Sequence, residues 1–281
     1  MISASHQPRV TYLFGAGASH ACVTRFTDQH PILMSHLNSS LHEKLSALVN
    51  NYDNPADDDL KYLVNSVIDE STDFEQVVTF LEDTPSLRHR QFADDMRRTF
   101  EEVLHNKLTE IRADLQDDPT ELYEVLLDIH NIAGFDESLH GIMTTNYDEY
   151  IEKAAESIYG CPVDFGIEVL RSPSHNQNSA EDMSVRLLKL HGSFGWIDTW
   201  PISAGTAVGA SVWIPPGLQK PKNAYPFNVL WGLAREMLSC DVLRIVGFKI
   251  GPNDWDLMSL LFAMRHVNVT RTTRIEIIDD P

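Results

Sequence analysis

Five short apolar runs constrain this chain most: VTYLF at residues 10–14, GIM at 141–143, LLKL at 187–190, LRIV at 243–246 and RIEII at 274–278. Each has the length of a strand and little of the alternation that a half-solvated strand shows, so each is read as buried. All but the last are followed by a polar stretch, at 15–19, 144–148, 191–193 and 247–254. Ligands of open α/β sheets bind just beyond the carboxyl ends of the strands, so these four stretches are expected to converge on one crevice. The fold class that follows is α/β, a Rossmann-like parallel sheet with helices on both faces.

Between the first two runs the pattern changes. Leu33, Leu37, Leu41, Leu45 and Leu48 recur at helical spacing, as do Phe74, Val77, Val78 and Leu81, and then Phe92, Met96, Phe100, Val103 and Leu104. Loop signals separate them at 50–59, 84–86 and 116–119. The expected organisation is a discontinuous sheet domain, 1–34 and 136–281, interrupted by an all-helical module of four or five helices at 35–135. A helix after the fourth run is expected to bury Trp255, Met258, Leu261 and Phe262. The sequence stops at Pro281, directly after a predicted strand, so either the fold ends early or the polypeptide is longer.

Composition narrows the function. The formal charge of −19 repels phosphate backbones, and Arg88, Arg90, Arg97 and Arg98 are interrupted by Asp94 and Asp95, which reads as a solvated helix face; direct nucleic-acid binding is not expected. No apolar stretch approaches the roughly 20 residues of a membrane span, and MISASHQPRV has no signal-peptide character, so a cytoplasmic location is expected. Cys22, Cys161 and Cys240 are far apart and read as small buried hydrophobes, and the histidines show no ligand spacing, so no metal is expected.

The polar stretches carry the chemistry. In LFGAGASHA, Gly15 can take the positive φ of a tight turn, and Gly17 can admit a close backbone approach. The following helix start, helped by Ser19, can then hold a pyrophosphate; a plain turn is the alternative. Position 20 is His, which departs from the dinucleotide fingerprint, and no Gly-Lys-Ser/Thr is present. Thr144, Thr145, Asn146 and Asp148 lie at a strand-to-helix junction, where helix capping competes with a catalytic reading. His191 leaves an apolar strand where a general base belongs. Gly247 can admit a ribose or phosphate, Asp254 can cap a helix, and Asp279 and Asp280 at the last strand end can bind ribose hydroxyls.

In this order, Gly15-Ala16-Gly17-Ala18-Ser19, Thr145-Asn146-Tyr147-Asp148, Lys189-Leu190-His191-Gly192-Ser193 and Val246-Gly247-Phe248 resemble the sirtuin superfamily. More closely, they resemble the sirtuin-like domains of bacterial antiphage defence proteins, which also carry a segment similar to Asp73-Phe74-Glu75-Gln76-Val77-Val78. The resemblance implies NAD as substrate, with Gly15, Ala16, Gly17 and Ser19 at its pyrophosphate. Thr145, Gly192, Ser193, Gly247 and Phe248 from the motifs, with Asp279 from its strand-end position, complete the dinucleotide-binding set. It implies catalytic roles for Asn146, which would position a water or the ribose, for His191 as general base, and for Asp148, which would hydrogen-bond the ribose or carboxamide.

The two Cys pairs of protein-deacylating sirtuins are missing, and the segment 24–31, with Arg25 and Asp28, matches the family's acidic-Phe-Arg loop poorly. NAD hydrolysis to nicotinamide and ADP-ribose is therefore expected more than deacylation. A protein deacylase or ADP-ribosyltransferase, and a non-catalytic module binding NAD or ADP-ribose, are the alternatives. The resemblance also implies abortive infection by NAD depletion, a homo-oligomer, and a separate sensor partner such as a hexameric HerA-type ATPase.

Overall fold

A computed structural model describes residues 7–25, 34–52, 57–115, 118–168, 170–171, 184–197, 211–214, 222–250, 254–267 and 272–279. Asp28, Leu33 and Asp280 lie outside them. The chain divides into two compact units, the first comprising Met1–Phe26, Asp117–Trp213 and Pro221–Pro281, and the second Thr27–Gln116 with Ile214–Lys220.

The first unit opens with β1 (Arg9–Phe14) and α1 (Ala16–Thr24). The second contributes α2 (Met34–Asn50), α3 (Asp58–Ile68), α4 (Phe74–Asp83) and α5 (Leu87–Leu115). The first unit then resumes with α6 (Glu121–Asp128), β2 (Ser138–Thr144), α7 (Tyr150–Tyr159), β3 (Val163–Asp164), β4 (Leu170–Arg171), β5 (Val185–Lys189), β6 (Gly192–Ile197) and β7 (Ser211–Trp213). It closes with α8 (Phe227–Met237), β8 (Val242–Val246), α9 (Trp255–Val267) and β9 (Arg274–Ile278).

The principal sheet has six parallel strands in the order β3-β5-β2-β1-β8-β9. Connections from β1 run to one side, through β2 to β5, and later ones return to β8 and β9. The topological switch point therefore lies between β1 and β8. Central positions such as Tyr12, Leu13, Phe14, Ile142, Met143, Leu187, Leu188 and Leu243 are fully buried. Helices cover both faces: Thr11 Oγ1 donates to Met237 O of α8 on one, and Tyr12 Oη donates to Leu126 O of α6 on the other. Helix α8 buries Phe227, Leu230, Trp231, Ala234 and Met237 along one stripe, each such large side chain contributing about 1.5–3 kcal/mol.

Four features depart from the sequence reading. The boundary after the helical module falls at 116/117 and not 135, because Tyr123 and Leu127 of α6 are buried within the first unit. Strand β9 is an exposed edge, with Ile277 72% accessible, because β8 is its sole partner in the sheet. In α9 the buried residues are Leu257 and Leu260 while Trp255 and Phe262 are exposed; apolar residues occur all round this helix, so spacing does not select a face. A small antiparallel sheet, β4-β6-β7, which the sequence reading did not include, has β4 before His191 and β6 and β7 after it.

In the second unit Leu37, Leu41 and Leu45 of α2, Phe74, Val77, Val78 and Leu81 of α4, and Phe92, Met96 and Phe100 of α5 are buried, as their spacing predicts. Asp73 caps α4 by accepting from Glu75 N at 2.8 Å. Arg88, Arg97 and Arg98 pair with Asp57, Glu82 and Asp95.

Candidate active site

Register places the two residues to which the sequence reading assigns the chemistry. Thr144 of β2 is paired with Lys189 of β5, and Leu190 N donates to Thr144 O at 2.8 Å. Asn146 and His191 each follow two residues later, so they leave the sheet from neighbouring strand ends, which lie about 4.8 Å apart.

Asn146 is buried and held on three sides. Its backbone N–H donates to Thr144 Oγ1 at 3.1 Å, and its Nδ2 donates to Gly15 O and to Ser19 Oγ, both at 2.9 Å. A backbone carbonyl can only accept, so Gly15 fixes which end of the amide faces it. The opposite atom, Asn146 Oδ1, is buried without a hydrogen-bond partner among the described residues. The orientation leaves a rigid acceptor to meet a donor such as a water or a sugar hydroxyl.

Asp148 is buried and turned toward the protein. Its Oδ2 accepts from Ser19 Oγ at 2.8 Å and its Oδ1 from Tyr150 N at 3.1 Å, at the start of α7. Burial raises its pKa, and the charge of Lys189 and these hydrogen bonds oppose the rise. Asp148 thus serves α7 and Ser19, the capping role that competed with a catalytic one.

Beneath this loop sits Lys189, fully buried at the end of β5. Its ammonium donates to Asp148 O, to Glu152 Oε1 at 2.6 Å and to Ser193 Oγ at 2.9 Å, so all three protons are used. Ser193 in turn donates to Tyr147 O at 3.1 Å. The consecutive carbonyls of Tyr147 and Asp148 are therefore both gripped from the β5–β6 segment that carries His191. Burial raises the Glu152 carboxyl, with Lys189 opposing, and Glu152 Oε2 has no partner among the described residues. A lysine inside an apolar strand implies a buried counter-charge, and that signal was present in LLKL; its partner Glu152, on the inner face of α7, was not singled out.

His191 is 9% accessible and lies among rings. Tyr147 is 6.2 Å away between centroids and Trp231 6.4 Å, while Tyr147 stacks on Phe194 at 5.2 Å and meets Trp213 edge-on at 5.4 Å. Trp231 is itself fixed by donating Nε1–H to Leu190 O at 3.1 Å.

The glycines act differently from the expectation. Gly15 is extended, with φ −108° and ψ −179°, and caps α1; Gly247 is the residue in the left-handed region, at φ +58°. Gly17 N donates to Gly247 O at 2.8 Å, and a Cβ on Gly247 would lie 2.1 Å from Ala18 N. The close backbone approach is thus between the β1 and β8 turns themselves. Phe248 lies against Gly15, where an added Cβ would fall 2.4 Å from Phe248 Cδ2. Gly192, at φ +75°, lets β6 close on β7, since its Cβ would lie 2.2 Å from Val212 O.

Ser19 and Ser193 are fully buried with their hydroxyls bound to protein groups, so both organise the site from within. Thr145 is half-buried and donates its N–H to Phe14 O at 3.3 Å. Ala16 is exposed at the first turn of α1. Asp279 is exposed beyond β9, three strand positions from β2, and stands apart from the Asn146–His191 pair. Arg25 pairs with Glu121 at 3.3 Å on the surface.

Cys22 and Cys240 are buried, and Cys161 is half-buried. No group of His, Cys, Asp and Glu side chains among the described residues is arranged to hold a metal ion, and no helix among them is long and apolar enough to cross a membrane.

The family profile for the SIR2-like domain matches residues 140–268, the segment holding Asn146, Lys189, His191 and Gly247. That family is one of NAD-dependent enzymes, and the match supports a sirtuin-like reading of this part of the chain. No curated protein matches the chain.

Proposed function

We propose that the protein is an NAD glycohydrolase, releasing nicotinamide and ADP-ribose. The observation that carries this reading is the fixed Oδ1 of Asn146, without a hydrogen-bond partner among the described residues, beside the strand end that bears His191, inside the segment similar to SIR2-like domains. The donor that this oxygen requires is supplied by the attacking water or by a hydroxyl of the nicotinamide ribose. The C1′–N bond breaks and its electron pair leaves with nicotinamide, which departs neutral. Water oxygen bonds to C1′ and its proton passes to His191, the general base. The aromatic wall around His191 excludes bulk solvent, and the positive end of α1, with Ala16 exposed at its first turn, attracts the pyrophosphate.

An NAD-depleting enzyme must be restrained until it is needed. The reading therefore includes abortive infection as its setting, assembly with further copies of the chain and control by a separate sensor such as a HerA-type ATPase. The likeness of the ordered motifs to antiphage domains supports that part.

The test is chromatography of NAD incubated with the purified protein, with and without the product of the neighbouring gene. Nicotinamide and ADP-ribose are expected in equal amounts. Asn146→Ala and His191→Ala should each lower the rate at least ~100-fold with unchanged circular dichroism. Wild-type rates in both variants would overturn the assignment.

A further inference from the structure

Helix α6 lies outside the segment that matches the SIR2-like profile, yet one of its side chains reaches the catalytic amide. Tyr123 is 1% accessible, and its hydroxyl is 2.7 Å from Ser19 Oγ and 3.3 Å from Asn146 Nδ2. The direction of every proton in this cluster follows from groups that can act in one sense only. The Asp148 carboxylate accepts, so Ser19 Oγ donates to it at 2.8 Å. Ser19 Oγ is left with two lone pairs, and two donors face it: Asn146 Nδ2 at 2.9 Å and Tyr123 Oη at 2.7 Å. Burial, and next the charge of Asp148, hold the Tyr123 phenol far above its ordinary pKa, so its proton stays in place.

We infer that Tyr123 is a positioning residue for Asn146: its hydroxyl saturates Ser19 Oγ, which with Gly15 O takes the two protons of Nδ2, and itself stands 3.3 Å from Nδ2, locking the amide with Oδ1 toward the reacting atoms. The role rests on the glycohydrolase reading for its catalytic consequence, but the lock itself is a property of the folded chain. The opposing view is that Tyr123 fills space, since its ring packs edge-on against Phe14 at 5.0 Å. Tyr123→Phe separates the two, because it keeps the ring and removes the hydroxyl.

In Tyr123→Phe, kcat for nicotinamide release should fall about 10- to 100-fold while KM changes less than about twofold, the signature of a misaligned group in a correctly bound complex. Ser19→Ala should give a loss of similar size, and the double variant little more than either alone. A second readout does not need turnover. The side-chain amide resonances of Asn146, assigned by their disappearance in Asn146→Ala, should be protected from hydrogen exchange in the wild type and exchange at least about tenfold faster in Tyr123→Phe. Unchanged exchange and a kcat within about twofold of wild type would overturn the inference. A wild-type protein that releases no nicotinamide but shows the exchange difference would instead count against the glycohydrolase reading and leave the lock standing.

Discussion

Two polar clusters brace the first unit, one part-buried and one deeply buried, and they differ in whether they are complete. On the α6 side of the sheet, Arg244 of β8 donates to Glu276 at 2.6 Å, to Glu137 at 2.6 Å and to Tyr12 Oη at 3.2 Å. Arg274 meets the other oxygen of each carboxylate, at 3.0 Å and 2.9 Å. All four carboxylate oxygens are occupied, and the Tyr12 hydroxyl meets Leu126 O at 3.1 Å and His130 Nε2 at 3.0 Å. At the carboxyl ends of β2 and β5, the cluster of Lys189, Glu152, Asp148, Ser19 and Asn146 is more deeply buried and yet keeps two acceptors without partners among the described residues. A saturated cluster behaves as a strut. One that is rigid and still short of a donor among the described residues suits the ligand-facing role proposed for Asn146.

The comparison can be broken by removing the central cation from each cluster. Lys189→Met should cost about 3–5 kcal/mol in urea unfolding, since Glu152 is left as an uncompensated buried carboxylate. Arg244→Met should cost less, about 1–2 kcal/mol, because Arg274 still meets both carboxylates and the cluster lies nearer to water. Equal losses would show that depth and saturation do not separate the two.

The smallest effect is in pH dependence. Burial raises Asp148 and Glu152 above their ordinary values of 3.8 and 4.5. The folded state therefore binds these protons more tightly than the unfolded chain. Their contribution to stability is full below the ordinary values and is lost as pH rises through the raised ones. Lys189 opposes the rise, so in Lys189→Met the loss should be steeper and extend to higher pH. Unfolding midpoints measured from about pH 5 to about pH 8 should fall faster in that variant than in wild type, and parallel curves would argue against the coupling.

How much of this was legible depends on where the determining contacts lie. The strands β1, β2, β5 and β8 could be read because burial on both faces writes a continuous apolar run. Strand β9 reads the same, but no local pattern reports that a strand sits at an edge. The small sheet escaped notice because β6 begins Gly-Ser-Phe-Gly, which resembles a turn. Asn146 and His191 were identified through motif order, and the structure brings their strand ends together. Ser19, Ser193 and Asp148 were expected to face a ligand and instead hold the site from behind, a distinction set by which way a side chain points. The pairing of Gly17 with Gly247 depends on two turns about 230 residues apart coming within a hydrogen bond, and no sequence feature announces it. Tyr123 gave no signal at all, since its hydroxyl finds Ser19 across a separation of 104 residues.

That separation has a consequence during synthesis. Ser19 emerges from the ribosome with α1, helices α2 to α5 follow, and Tyr123, Asn146 and His191 come later still. The hydrogen bonds that orient Asn146 span 127 and 131 residues, so no nascent chain that stops before His191 holds the complete arrangement. Contacts of that sequence separation carry a large closure entropy, which slows the folding step that forms them. A product of this chain that ends before His191 therefore lacks the complete arrangement.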